Sequence, residues 1–489
     1  MEPIVAPAAM AEADARAVAA GTPTDVLVER AGRAVAWAGR ELTGGCYGRR
    51  AVVVCGPGNN GADGRVAARV LRGWGMRVAT IELDVPVDRA ASATAIARAA
   101  LVIDAMYGTG LRRPLDGDAA WLAGEIGSAV GRVLAVDIPS GVDGTTGVVA
   151  SAAVAADATI TFAARKPGVL FEPGRTLAGD VDVVDIGIEV ADDLVGAWSL
   201  DRADVLELVP PRAAISHKWS AAVIVVGGSG GMTGAPLLAS RAAMRAGAGM
   251  VVCALPGGDA PRRASGGEVV TRALPATDDG ALATDAVDMV LDELTRFRAL
   301  ALGPGLGRHP ETQRAVRELL AQADVPIVLD ADGLNALDGR VHLLANRAER
   351  GVVTVVTPHD REYERLAGSA VGVDRVAAAR ALADRARAVV LLKGPATVVA
   401  APGGGPVFLN PTGTPQLATA GTGDVLTGIV AAFVARGVPP VDAAAAAAWI
   451  HGRAAVSASA SLGATRGSGI LAGDVVEALA STLAPDLDL

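Results

Sequence analysis

In the first part of the chain, short β-branched runs alternate with stretches whose apolar residues recur at helical spacing. The runs at 51–55, 77–83, 100–104, 133–138, 158–162 and 181–186 have strand length, and amphipathic segments such as 65–74 and 118–128 lie between them. This alternation predicts a mostly parallel, doubly wound sheet. Two helices are expected ahead of it, at 8–20 and 24–42, the second with Thr24 as its N-cap. The rhythm fails over 188–215, which holds Pro210-Pro211 and no long apolar run, so a linker is expected there. It resumes with apolar runs at 222–226, 250–254, 300–302, 326–330, 352–357 and 388–393, predicting a second α/β domain. Near the end, 397–401 and 406–409 read as a hairpin turning through Gly403-Gly404-Gly405, followed by helices at 423–436, 441–460 and 473–483. The expected fold class is α/β in two domains, residues 1–205 and 206–489.

Composition narrows the function classes. At 51% apolar and 20% charged residues, the chain has the material to fold throughout. Aromatic residues make up only 3%, and the formal charge is −9, which opposes both base stacking and a phosphate backbone; nucleic acid is excluded as a partner. Cys46, Cys55 and Cys253 are widely spaced and form no C-x-x-C, which points to neither disulfides nor zinc and fits a reducing cytoplasm. Glu12 and Asp14 precede any long apolar run, so export is not expected. The alanine-rich run 443–450, bracketed by Asp442 and His451, falls well short of the ~20 residues that span a bilayer and is expected to be a buried helix.

The chemistry concentrates in two glycine-rich loops that each carry an aspartate, 56–64 and 419–428. Each leads into a helix, where free amides and the helix dipole favour an anion, yet neither is a P-loop or a clean G-x-G-x-x-G fingerprint. The first follows a strand and so belongs at the carboxyl edge of the sheet, where doubly wound folds bind ligands. Asp104 ends another strand, 108–114 is a second glycine loop, and Asp137 to Ser140 ends a third strand, so these belong on the same edge. A lone strand-end aspartate is commonly a cap; several such ends together point to a site. Asparagine and aspartate oxygens suit an alkali or alkaline-earth cation, and Asp137 suits general acid/base work.

On these residues the N-terminal part resembles the NAD(P)H-hydrate epimerases. Gly56 to Gly64, Asp104-Ala105-Met106-Tyr107-Gly108-Thr109-Gly110, Val136 to Val142 and the leader Leu27 to Gly32 carry the resemblance over about 5–190. The family usually has glycine at the position of Ala62. The resemblance implies a Rossmann-like domain in which Asn59, Asn60, Gly61, Ala62 and Asp63, with Gly108, Thr109, Gly110, Leu111, Arg112, Arg113 and Pro114, bind the hydrated dinucleotide. It implies that Asp137 acts at the nicotinamide ring and that Asn60, Asp104 and Ser140 hold K+.

In the second half, Gly421-Thr422-Gly423-Asp424 at a helix start offers amides to an oxyanion beside a carboxylate, an arrangement suited to phosphoryl transfer. Gly-Asp alone would be read as a turn with a cap. Lys393 to Thr397, Gly303 to Gly307, Asp330-Ala331-Asp332 and Thr357-Pro358-His359 all follow strands and converge with it. Together with Ser216-His217-Lys218, Gly234-Ala235 and Ala246 to Gly249, these residues resemble the ribokinase-like ADP- or ATP-dependent NAD(P)H-hydrate dehydratases over about 212–485. The resemblance implies that Ala235, one of Gly305 or Gly307, His359 and Asp424 face the hydrate; the carboxylate of Asp424 beside those amides suits it to deprotonate a hydroxyl as base. It also implies that Lys393, Gly394, Pro395, Ala396, Thr397 and Gly423 serve the nucleotide, with Mg2+ as its partner. After His359 the family commonly has Pro-Gly-Glu, where this chain has Asp360-Arg361-Glu362.

The combined expectation is a bifunctional repair enzyme. It epimerises hydrated NADH and NADPH, then dehydrates the S form at the expense of ADP or ATP, and has no membrane or nucleic-acid partner. ADP against ATP, NADH against NADPH hydrate, and a homo-oligomeric state are left open. The rivals are a small-molecule kinase with a dinucleotide-binding regulatory domain, and a noncatalytic N-terminal module.

Overall fold

A computed structural model describes residues 1–111, 113–257, 268–464 and 469–484. The chain divides into two compact units between Trp198 and Ser199, so helix Arg202–Leu208 belongs wholly to the second rather than being cut at 205/206. The stretch expected as a linker is itself structured, with strand Ala197–Ser199 and the capped helix Arg202–Leu208. Asp201 accepts a hydrogen bond from Asp204 N, and Asp204 accepts one from Asp201 N. This reciprocal cap is a helix start that the absence of a long apolar run concealed.

The first unit is built on six parallel strands in the order Arg77–Glu82, Arg50–Cys55, Leu101–Ala105, Arg132–Val136, Ala158–Phe162, Asp180–Val184. Alternation along the second of these sorts its side chains: Ala51, Val53 and Cys55 enter one core with helices Pro7–Ala19, Thr24–Leu42 and Asn59–Gly73. Val52 and Val54 enter the other, with helices Arg89–Ala97 and Gly117–Gly127. The sheet is therefore covered on both faces, as a parallel sheet must be. Helix Thr24–Leu42 has the expected bounds, but its N-cap is Pro23 and Thr24 is its first residue.

One expectation fails in an informative way. Residues 59–64 are not a loop but the first turns of helix Asn59–Gly73. Gly61 is required there, because a Cβ would lie 1.9 Å from the Gly56 carbonyl oxygen. Ala62 is an ordinary helical residue whose N–H donates to Gly58 O at 3.1 Å.

Nine strands of the second unit run in the order Val407–Asn410, Thr397–Ala400, Val389–Leu392, Thr354–Val356, Ile327–Leu329, Ala299–Leu302, Ala222–Val226, Met250–Pro256, Val270–Leu274. The neighbours from Val389–Leu392 onward are parallel, whereas Thr397–Ala400 runs antiparallel to both Val389–Leu392 and Val407–Asn410. Helix Thr422–Ala435 is buried along nearly its whole length and packs against helices Gly234–Arg245 and Pro440–Ser461. Its all-round apolarity explains why it sits inside. Gly421, at φ +92°, is its N-cap; a Cβ there would be strained and would meet Leu238 at 2.7 Å. The alanine run lies inside helix Pro440–Ser461, and among the described residues no helix is long and apolar enough to cross a membrane.

Candidate functional site

In the first unit the strand ends converge on a cleft of about 700 Å3. Asp137 follows strand Arg132–Val136 with φ +69°, a left-handed backbone that a non-glycine residue adopts at a cost of about 1–3 kcal/mol. Its neighbours hold it there. Lys166 Nζ lies 2.7 Å from Asp137 Oδ1, Thr161 Oγ1 donates to the same oxygen at 3.1 Å, and Thr109 N donates to Oδ2 at 3.0 Å. Lys166 is only 1% exposed and also donates to Thr161 Oγ1 and Phe162 O. Burial opposes the Asp137 charge, but Lys166 and the hydrogen bonds prevail and hold its carboxyl below the usual range.

Asp63 lines the same cleft without such partners, and burial, with Asp137 and Asp14 nearby, pushes it up to about 8. Asp14 is also raised, first by burial.

Asp104 and Ser140 form an adjacent buried cluster. Asp104 accepts from Ser140 N at 2.8 Å, Ser140 Oγ at 2.7 Å and Met106 N at 3.2 Å. Burial lifts it to about 6 against these bonds. Asn60 stands beside Gly108, and its buried amide nitrogen has no hydrogen-bond partner among the described residues. Turning the amide over exchanges N for O and offers a carbonyl oxygen from the same place. Carboxylate, hydroxyl and amide oxygen are hard donors, so the chemistry of this set fits an alkali cation.

Of the expected hydrate residues, Asn59, Asn60, Asp63, Gly108, Thr109, Gly110 and Asp137 line the cleft. Gly61, Ala62, Leu111, Arg113 and Pro114 are not among its walls; Leu111 packs instead against the core on the other face of the sheet. Arg112 lies outside the described residues. Sequence reasoning missed Lys166, Thr161 and Asp14. A lysine directly before Pro167-Gly168 looks like a turn residue, and only the fold brings it to Asp137.

In the second unit, Lys393 directly follows strand Val389–Leu392 and reaches the buried Asp330 at 2.7 Å, while Thr427 Oγ1 donates to the other Asp330 oxygen at 2.5 Å. Lys393 Nζ is also 3.9 Å from Glu362 Oε2, and a Cβ at Gly423 would lie 3.5 Å from it. The ammonium thus faces the first turn of helix Thr422–Ala435. Burial works against its charge, but Asp330 and Glu362 outweigh it and raise its pKa. Burial, then Asp330, pushes the Asp424 carboxyl up to about 7 against the pull of Lys393.

The remaining expected residues form the surroundings. Gly307 N donates to Asp332 Oδ2 at 2.8 Å, and Ser229 Oγ donates to Gly305 O at 2.9 Å. A Cβ at Gly305 would touch Ala235 at 3.4 Å, so these small residues form one wall. His359 is the N-cap of helix Asp360–Ala367: its Nδ1 accepts from Arg361 N and Glu362 N, and its N–H donates to Glu362 Oε2 at 2.9 Å. The imidazole Nε2 then lies 3.5 Å from Glu362 Oε1. The unusual Asp360 pairs with Arg375 at 2.9 Å, and Arg375 Nη2 donates to Lys393 O at 2.8 Å, bracing the turn at Gly394 and Pro395. The Ala396 side chain is buried, whereas Gly394 and Pro395 are exposed. His451 was also missed. Burial pushes its imidazole down to about 4, and its Nε2 has no partner among the described residues.

Comparison with known proteins covers both units. A family model for NAD(P)H-hydrate dehydratase matches residues 223–478, and one for the YjeF-related protein N-terminus matches 24–94 and 79–168. The bifunctional NAD(P)H-hydrate repair enzyme of Moorella thermoacetica is 39% identical, with 94% of this chain and 92% of that protein covered. The enzyme of the same description from Salinibacter ruber is 38% identical, covering 93% and 91%. Among solved structures, the ADP/ATP-dependent NAD(P)H-hydrate dehydratase of Bacillus subtilis, co-crystallised with ATP and Mg2+, matches with a TM-score of 0.50 at 30% identity, covering 58% of this chain and 97% of that one.

Proposed function

Because this chain belongs to the family of bifunctional NAD(P)H-hydrate repair enzymes, which epimerise the hydrates and dehydrate them at the expense of ADP or ATP, we propose that its two units divide these activities. The first unit interconverts the R and S hydrates in the cleft around Asp137. The second dehydrates the S form at the start of helix Thr422–Ala435, with ADP as the donor.

In the second unit, Asp424 takes the proton of the ring hydroxyl as its oxygen attacks the terminal phosphorus of the nucleotide. The amides of Gly421, Gly423 and Asp424 and the Lys393 ammonium hold the migrating phosphoryl group. The ring nitrogen's lone pair then expels phosphate, and loss of a proton from the neighbouring carbon restores the dihydropyridine. Ala235, Gly305 and Gly307 wall the ring, and Gly394 to Thr397 flank the nucleotide. Mg2+ would enter with the nucleotide and supply charge neutralisation to its phosphates; the described residues offer no group of three His, Cys, Asp or Glu to cage it. In the first unit Asn60, Asp104 and Ser140 would hold K+, which would supply a positive charge beside the buried Asp104.

The observation that carries this reading is the meeting of the Lys393 ammonium with the first turn of helix Thr422–Ala435, which carries Asp424. Its test is stoichiometry: one inorganic phosphate released per NADH regained. A stable phosphorylated hydrate without NADH would instead favour a kinase.

A further inference from the structure

The cleft of the first unit holds more carboxyl groups than cations. Asp14, Asp63 and Asp137 line it, and Lys166 is the one cationic side chain among its described lining residues. Lys166 is committed to Asp137, which also takes hydrogen bonds from Thr109 and Thr161. Asp63 is only 6% exposed, yet among the described residues no hydrogen bond or ion pair reaches its side chain. It lies four residues after Asn59 and three after Asn60 on helix Asn59–Gly73, so it shares the helix face that borders the cleft. A buried acid without a cation keeps its proton, whereas one paired with an ammonium gives its proton up. Two carboxyls in one cleft with opposite protonation are the arrangement that separates an acid from a base.

We propose that Asp63 is the general acid of epimerisation and Asp137 its base, a role that rests on the assignment of epimerase activity to the first unit. The hydrate carries its hydroxyl on the carbon bonded to the ring nitrogen. Asp63 donates its proton to that hydroxyl, the C–O bond breaks, water leaves, and the nitrogen lone pair closes a C=N+ bond. A second water adds to the opposite ring face; its oxygen forms the new C–O bond and its proton passes to Asp137. One water leaves and one enters, no oxidant or reductant is needed, and the reverse direction returns the proton. Asp14 supplies a third carboxyl, on helix Pro7–Ala19, whose negative charge would favour retention of the Asp63 proton.

The test uses the full-length chain, a single epimer of NADH hydrate, no nucleotide, and 18O-enriched water. Each inversion is expected to carry in one labelled oxygen. Asp63→Asn should slow inversion on the order of 10²–10⁴-fold with the hydrate KM kept within a few-fold, and Asp63→Glu should recover part of the rate. The retained hydrate KM and the partial rescue by Asp63→Glu report that the first unit is folded, and nucleotide-dependent dehydration of the S epimer by the same preparations reports the same of the second. Inversion without label overturns the route through water loss. Asp63→Asn at the parent rate with Asp137→Asn inactive overturns the Asp63 role and leaves the unit's assignment standing; both variants at the parent rate overturn the assignment itself.

Discussion

Lys393 and Asp330 meet at 2.7 Å with the carboxylate almost fully buried, and the same ammonium faces the helix start that carries Asp424. One lysine therefore neutralises a buried acid and projects positive charge to where a phosphoryl group would cross. Lys393→Ala should leave Asp330 uncompensated, a loss of about 3–5 kcal/mol for a buried pair, and should lower the thermal midpoint. The double variant Lys393→Ala with Asp330→Asn should regain much of that stability while phosphate release stays low. Calorimetry and a phosphate assay on the two variants separate the roles.

As the proposed base, Asp424 should give the dehydration step its pH dependence. Its carboxyl sits at about 7, so the base form is scarce below that pH and the rate of NADH recovery should rise as pH increases through it, then level off. The sign for stability is opposite. A carboxyl raised above its unfolded value of 3.8 binds protons more tightly when folded, so folding loses stability as pH rises through 3.8 towards 7. Asp424→Asn should therefore abolish recovery and raise the melting temperature more at pH above 7 than at low pH. A flat rate profile through neutrality would remove Asp424 as base.

In the first unit, Lys166→Met should strip Asp137 of its counter-ion. The carboxyl would then rise under burial, and epimerisation should fall on the order of 10²-fold or more while dehydration of the S form continues. Epimer interconversion followed by chromatography measures this directly.

Ala62→Gly, which restores the residue usual in the family, should destabilise the protein by about 0.5–1 kcal/mol, because the position is helical and needs no positive φ. Epimerisation should be unchanged. A gain in rate would show that the alanine constrains the site.

Much of this was legible from the chain. Strands Ala158–Phe162 and Ala222–Val226 and helix Thr24–Leu42 match the apolar pattern residue for residue, because a single period governs each. The start of helix Asn59–Gly73 was not, since Asn-Asn-Gly carries the signature of a turn, and the close approach of Gly61 to Gly56 that the helix makes is a tertiary fact. Lys166 and Asp137 lie on separate segments, and neither local propensity nor spacing records that their side chains meet. His451 read as a polar boundary of the alanine run, yet it is buried within helix Pro440–Ser461. Asp360 read as a departure from a family pattern, and its reason is a tertiary one, the pairing with Arg375.

The central claim, two activities acting in succession on one damaged cofactor, is tested most directly by supplying mixed-epimer NADH hydrate with ADP and following recovery of NADH absorbance. The intact chain should convert the whole mixture, whereas Asp137→Ala should stall near the S fraction and proceed only as fast as spontaneous epimerisation. Absence of any nucleotide-dependent recovery with ADP or ATP, or full conversion by Asp137→Ala at the parent rate, would contradict it.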